Sequence, residues 1–387
     1  MTQHHNIAII GGGLGGLTLA LILKRRGIES TVYELDATPT TRRQGGMLDM
    51  HEESAQFALR EAGLFDEFQK LILPGGEATR VLDKTATVHY EDDGENGGRP
   101  EVDRGALRDI LLAALPDETV RWGSRVTGVR RLEGGRHEVT LADGSTFTAD
   151  LLIGADGAWS KVRAALSDAT PEYLGLTFIE MRLENAAANH PIAAEVAGGG
   201  SLFALGDEKG LLAHRGTDDT LHVGAALKVP TDWARSGEVD LTGPTSAKAV
   251  LEKQFANWDA RLLTLVTESS GPFEPYPLYA LAAGHAWTHT PGVTLLGDAA
   301  HLMSPFAGEG ANLAMLDAAE LAAAIAAQPG DPDSAIRQYE QAMFPRSEAA
   351  AAQSKATLDL CFAPSGAESL SDLMNSFGRQ PESDAVA

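Results

Sequence analysis

The sequence predicts an α/β fold, on two observations. A strand–glycine turn–helix–strand unit opens the chain, and two later apolar strands each break into a turn of glycine and aspartate ahead of a helix. In the opening unit Ile7 to Ile10 is an apolar run that ends in Gly11-Gly12-Gly13-Leu14-Gly15-Gly16. Leu17 to Arg26 follows with helix formers and a basic end, Gly27 closes the helix, and Thr31 to Glu34 is the second strand. Gly11, Gly13 and Gly16 match G-x-G-x-x-G, with Glu34 about 20 residues on. Glycines there let the main chain approach a pyrophosphate at a helix N-terminus, and the carboxylate accepts hydrogen bonds from a ribose diol. The competing reading is a tight βα turn with no ligand.

The second junction is "ADLLIGADGAWSKVR", Ala149 to Arg163, a strand running into Gly154-Ala155-Asp156-Gly157 with Ser160 placed as an N-cap. The third is "LLGDAAHLMSPFAGEGAN", Leu295 to Asn312, where Gly297-Asp298 ends a strand and a Pro/Gly loop leads into an alanine-rich helix. Taken singly, each passes for any strand–turn–helix junction. Two of them behind one dinucleotide fingerprint are hard to read as coincidence.

Composition narrows the function classes. A net charge of -23 argues against a nucleic-acid partner or an anionic membrane surface, since both need clustered Lys and Arg. The one cysteine, Cys361, excludes a disulfide framework and a multi-cysteine metal site, and no metal site is expected; a cytoplasmic monomer is. The N-terminus lacks a signal-peptide pattern, and no apolar stretch is read as reaching the roughly 18 to 20 residues of a membrane span. Asp92-Asp93-Gly94 lacks the spacing of a calcium loop, and Asp143-Gly144 reads as a hairpin turn.

Together the three motifs resemble those of the single-component, class A flavoprotein monooxygenases, over a span from residue 6 to about residue 360. The resemblance implies a Rossmann-like FAD-binding domain, interrupted by a smaller β-sheet substrate domain and closed by a long C-terminal bridging helix. The corresponding boundaries are 1–72, 101–171 and 285–332 for the FAD-binding domain, 73–100 and 172–284 for the substrate domain, and 333–387 for the C-terminal helix and tail. In that last segment Ser334 reads as the N-cap and Pro345 as a kink, with a mobile end to the tail after Pro364.

Within the family the sequence is most similar to the tetracycline-inactivating monooxygenases. "RRQGGMLDMH", Arg42 to His51, matches their segment in which an arginine and an aspartate contact NADPH and FAD, here Arg42 and Asp49. "EVDRGALRDILL" matches the segment whose arginine contacts the flavin, here Arg104, with Arg108 read as a surface charge on the same helix. The cofactor-binding residues so implied are Gly11, Gly13, Leu14, Gly15, Gly16, Glu34, Arg42, Asp49, Arg104, Asp156, Asp298, Pro305, Gly308, Gly310, Ala311 and Asn312. The substrate-binding residues are Glu180, Ser201, Phe203, Leu212, His214, His222, Gly224, Pro305, Phe306 and Gly308.

The resemblance also implies the chemistry: NADPH reduces FAD, and O2 activated on the flavin hydroxylates an aromatic or polyketide substrate, with no catalytic side chain of its own. Glu180, Ser201 and His214 stand where the drug-inactivating enzymes carry a glutamine, an arginine and an asparagine. Tetracycline inactivation is therefore one expectation, and a tailoring hydroxylase acting on another aromatic is a second. A flavin halogenase or dehydrogenase on the same scaffold, or a ligand-sequestering flavoprotein, stays open. His301 receives no role.

Overall fold

Apolar runs far apart in the chain become neighbours in one sheet. In the computed structural model, which describes residues 3–41, 45–95 and 98–377, the strands Thr31–Tyr33, Gln3–Ile10, Thr146–Gly154 and Val293–Leu295 lie side by side and parallel. Val120–Arg121 extends that sheet beyond Thr31–Tyr33, and the antiparallel strands His137–Leu141 and Val126–Arg131 extend it on the other side. Asp143-Gly144 turns the hairpin between His137–Leu141 and Thr146–Gly154, with Gly144 at φ +83° and Asp143 accepting from the Ser145 amide.

Register fixes where the strands end. Ile10 pairs with Tyr33 on one side and Gly154 on the other, and Gly154 pairs with Leu295. The C-terminal ends of all four parallel strands therefore share one edge of the sheet, the place where open α/β sheets take ligands.

This sheet belongs to the first of two units, which runs to Ile72 and continues through Gly98–Glu172 and Tyr279–Lys355. Its first helix, Leu14–Arg25, is buried without a break from Leu14 to Leu23, so it is a core helix rather than an amphipathic surface one. Leu17, Leu19, Ile22 and Leu23 are fully buried, each contributing about 2 kcal/mol of transfer free energy.

The helix Glu309–Ala327 packs against it and corrects one expectation. At 19 residues it is long and apolar enough, by length and composition, to cross a membrane. The alanines that make it apolar also let it lie close to its neighbour: a β-carbon on Gly15 would sit 2.8 Å from the Ala314 carbonyl oxygen. Within this unit its Asp317 is fully buried and ion-paired, as befits a core helix.

The second unit comprises Leu73–Gly97, Tyr173–Leu278 and the chain from Ala356 onward. Its sheet runs in the order Ser270–Ala280, Glu172–Leu183, Leu221–Lys228, Lys209–Arg215, Ser201–Gly206, Thr79–Asp83, Val88–Asp92. Alternation divides the two faces. Leu202, Ala204, Leu211, Ala213, Val223, Ala225, Ile179 and Met181 join a core with Leu251, Phe255, Leu262 and Leu265 from the helices that cover that face.

The C-terminal segment differs from expectation in its cap, and the end of its tail lies outside the described residues. Pro332–Cys361 is one helix that continues through Pro345, with residues up to Lys355 in the first unit and the rest in the second. Its N-terminal cap is Asp331, whose carboxylate accepts from the amide and hydroxyl of Ser334. Beyond Pro364 the chain forms the helix Gly366–Phe377, held in the second unit by a hydrogen bond from Ser371 to the His89 carbonyl oxygen.

Candidate functional site

Each glycine of the first motif faces something different. Gly11 has φ +109°, and a β-carbon on it would lie 2.6 Å from the Ala155 carbonyl carbon, so the first turn wedges directly against the second motif. Gly15 and Gly297 both pack on Ala314, which joins the first motif to the third. Gly13 is the N-cap of Leu14–Arg25, and among the described residues no atom beyond its own chain neighbours lies within 4 Å of the position its β-carbon would take. Gly310, in the first turn of Glu309–Ala327, is open in the same way. Two glycine-lined helix N-termini thus emerge from one edge with unobstructed main chain, the requirement for holding phosphates.

The acidic residues at this edge divide into three kinds. Glu34 is buried, and its carboxylate accepts from the Gly12 amide at 2.6 Å and the Asp36 amide at 2.9 Å, which fixes it beside the first turn with lone pairs remaining. Asp156 turns inward instead. One oxygen accepts from the Ser160 hydroxyl, the other from the Lys161 and Val162 amides, and Ser160 in turn accepts from the Arg163 amide. Asp156 therefore shapes its own loop, and burial holds its pKa above the ordinary value despite those hydrogen bonds.

Asp298 is the third kind. Burial raises its pKa, His301 and Arg104 pull the other way, and no protein hydrogen bond reaches its carboxylate among the described residues.

The side chain of Asn312 is taken up within the protein. Its side-chain oxygen accepts from the His51 amide at 2.9 Å and the Ser54 hydroxyl at 3.3 Å, and its side-chain nitrogen donates to the carbonyls of Asp49 and Gly308 at 2.8 and 2.9 Å. All four hydrogen-bonding positions of the amide are used within the protein, so the side chain clamps the Asp49–His51 stretch to the Gly308 turn and has nothing left for a ligand. Gly308, at φ +67°, lies under the Asp49 carboxylate, which a β-carbon would approach to 2.6 Å. His51, which no sequence motif singles out, is buried between Asp49 at 2.9 Å and Glu309 at 3.6 Å. Arg42 lies outside the described residues.

Arg108 needs a correction, since it is no surface charge. It is 2% exposed, donates to the carbonyls of Gly12 and Pro39, and lies over the Trp122 ring. The helix period contains the signal: Arg108 falls between Leu107 and Leu111 on the buried stripe of Arg104–Ala113. Arg163, in the sequence no more than the end of the second motif, has a guanidinium that binds the carbonyls of Ala158, Ala169 and Ala299, tying the second motif to the third.

In the second unit the expected substrate residues fall on one face in two adjacent rows. Ser201 pairs with His214, His214 with His222, and His222 with Arg182; the next row is Phe203, Leu212, Gly224 and Glu180. This is the face opposite the apolar core, and the His214 and His222 rings stack on it at 5.0 Å. Burial, then the neighbouring His222, lowers the pKa of His214 to about 4, so its imidazole is neutral at physiological pH. Glu180 is shifted upward by burial and by Glu274, against Arg182. Phe178, missed in the sequence although it lies two residues from Glu180 on the same strand, covers Gly224: a β-carbon there would meet its ring at 2.6 Å. Pro305, Phe306 and Gly308 belong to the first unit, in the turn before Glu309–Ala327.

The first unit fits FAD on two of these observations: the open main chain over Gly13 and Gly310, and the unengaged, desolvated carboxylate of Asp298. Comparison with known proteins agrees. The FAD-binding domain family matches residues 4–354. Monooxygenase penA of Penicillium thymicola is 31% identical, over 97% of this chain and 99% of that protein. The 3-amino-4-hydroxybenzoate 2-monooxygenase PtnB3 of Streptomyces platensis is 32% identical, over 89% of this chain and 85% of that one. Among solved structures, tetracycline destructase Tet(51) shares the fold with a TM-score of 0.72 at 21% identity, over 97% of this chain and 96% of that one. The chain belongs to the FAD-binding domain family and is a single-component FAD-dependent monooxygenase.

Proposed function

We propose that this enzyme hydroxylates a flat, uncharged aromatic or polyketide-type natural product, using FAD, NADPH and O2, as a cytoplasmic monomer. The observation that carries the substrate reading is the open face of the second unit, where an apolar row is flanked by two stacked imidazoles, one of them neutral. Phe203 and Leu212 offer a surface for a planar ring, and a neutral histidine both donates and accepts toward hydroxyl or carbonyl groups. Glu180 and its neighbour Glu274 bring two carboxylates against the one guanidinium of Arg182, which disfavours an anionic ligand beside them.

When bound, FAD supplies the hydride acceptor and the means of activating O2. The chain's part is to hold it and to orient the substrate. Glu34 would hold a ribose diol, the main chain at Gly13 and Gly310 phosphate and ring polar atoms, and Asp298 a hydroxyl of the flavin's sugar-alcohol chain. The open face of the second unit would orient a bound aromatic.

Tailoring of a natural product is favoured over tetracycline inactivation by Glu180, Ser201 and His214. Replacing glutamine with a carboxylate removes amide donors, and losing an arginine removes a cation able to pair with the drug's enolate. The test is a panel of tetracyclines, quinolone-type and phenolic aromatics, scored by NADPH consumption and product mass. Substrate-stimulated oxidation with one oxygen gained supports the reading; stimulation by tetracycline alone favours drug inactivation; peroxide without product for every compound contradicts hydroxylation of these classes.

A further inference from the structure

The short turn that carries Asp298 is fixed from four directions. Gly297, at φ +58°, donates its amide to Asp317 at 3.0 Å, and its carbonyl accepts from the amides of Ala300 and His301. Arg163 takes the Ala299 carbonyl at 3.1 Å, and His285 Nδ1 donates to the Ala300 carbonyl at 2.6 Å. Within this frame His301 is 5% exposed and its Nε2 lies 2.7 Å from Asp317, on the carboxylate oxygen that also receives Gly297. Arg346, from Pro332–Cys361, reaches the other oxygen of Asp317 at 2.9 Å and Glu320 at 2.8 Å.

The His301 ring is faced by two carboxylates, Asp317 in direct contact and Asp298 on the same turn. Arg346 pairs with the fully buried Asp317 and with the partly exposed Glu320, Arg104 acts on Asp298, and Arg163 is the third cation at the turn, on the Ala299 carbonyl. The other titratable groups facing the cluster are His285, which burial keeps toward its neutral form, and Tyr339, whose hydroxyl donates to the Leu295 carbonyl. Buried carboxylates without a matching cation are costly.

We propose that His301 is a positioning residue of the flavin site: through Asp317 it sets the Gly297–Asp298 turn, and as an imidazolium it keeps the neighbouring Asp298 an anion able to accept a flavin hydroxyl. The inference rests on the reading of Asp298 as an FAD ligand. Direction agrees with geometry. Burial alone would lower the pKa of His301, but Asp317 and then Asp298 outweigh it and the pKa is raised. Asp317, which burial would raise, is held down by His301, Arg346 and the Gly297 amide.

The experiment is FAD binding to the apo full chain, followed by flavin fluorescence from about pH 5 to 9, for the wild type, His301→Gln and Asp298→Asn. Wild-type affinity falls as acid protonates Asp298. In His301→Gln that fall begins at higher pH, by about one pH unit, and binding near pH 7 is weaker by about tenfold. Asp298→Asn binds weakly at every pH and shows no such transition. A His301→Gln protein whose affinity drops equally at all pH values, or not at all, overturns the proposal and leaves His301 a packing residue. An Asp298→Asn protein that binds FAD as tightly as the wild type overturns the underlying reading instead. Should His301→Gln fail to fold, the ring NMR signals of His301 in the wild-type chain decide between the same two outcomes. A proton retained through neutral pH is expected, and an imidazole already neutral there contradicts the proposal.

Discussion

Gly11 and Ala155 touch so closely that the first motif has no room for a side chain: at φ +109°, a β-carbon on Gly11 would lie 2.6 Å from the Ala155 carbonyl carbon. Gly13, two residues on, has nothing within 4 Å. Alanine at the two positions is therefore expected to fail for different reasons. Gly11→Ala loses at least about 2 kcal/mol of folding stability, from backbone strain and the clash. Gly13→Ala keeps the apo-protein's stability but binds FAD more weakly, because its methyl group occupies space the cofactor needs. Urea unfolding of both apo-proteins, alongside FAD titration, checks the pair; equal stability losses would contradict the assignment of open space to Gly13.

Removing the Asn312 amide should be a stability defect before it is a cofactor defect. Asn312→Ala leaves the carbonyls of Asp49 and Gly308 and the amide of His51 without their partner, all around a residue 1% exposed. The expected loss is about 2 to 4 kcal/mol in chemical denaturation. A variant as stable as the wild type, with only FAD affinity reduced, would return Asn312 to the cofactor.

His214 makes the stability of the second unit depend on pH in a stated direction. Its folded pKa of about 4 lies below the ordinary value of 6.5, so the folded protein resists binding a proton that the unfolded chain takes up. The contribution is fully present above about pH 6.5 and is lost as pH falls toward 4, by no more than about 3 kcal/mol. His214→Phe should abolish that slope between those limits. Denaturation at a series of pH values measures it, and an unchanged slope in the variant would place the acid sensitivity elsewhere.

A substitution at His222 is expected to separate the two halves of the catalytic cycle. Changing it to asparagine is expected to raise KM or redirect hydroxylation several-fold, while the rate at which NADPH reduces the flavin without substrate stays within about twofold. Stopped-flow reduction and steady-state product analysis report the two separately. Equal collapse of both would argue that His222 supports the fold of the sheet rather than the substrate.

What is legible in the sequence is what is local. Each motif announces itself by glycine and aspartate at a strand end, and the two rows on the substrate sheet follow from residues spaced by two, such as Phe203 with Ser201 and His222 with Gly224. What stays hidden depends on distant partners. The register that sets Ile10, Gly154 and Leu295 side by side joins segments more than a hundred residues apart. Arg108 reads as a surface charge when its charge outweighs its place between two buried leucines, although the carbonyls of Gly12 and Pro39 receive it inside. Asn312 lies in a motif that suggests a ligand, and only the fold shows its amide closing on Asp49, His51, Ser54 and Gly308. An alanine-rich helix reads the same whether it packs in a core or spans a bilayer; Asp317 meeting His301 and Arg346 decides it for the core.

The central claim is that this chain transfers an oxygen atom from O2 to a planar, uncharged aromatic. Turnover under 18O2 with NADPH, read by mass spectrometry of the product, tests it most directly. One 18O atom in a product formed from a neutral aromatic, at a rate that falls in His222→Asn, is the expected result. NADPH consumption that yields only labelled peroxide, or label carried solely by anionic aromatics, would contradict it.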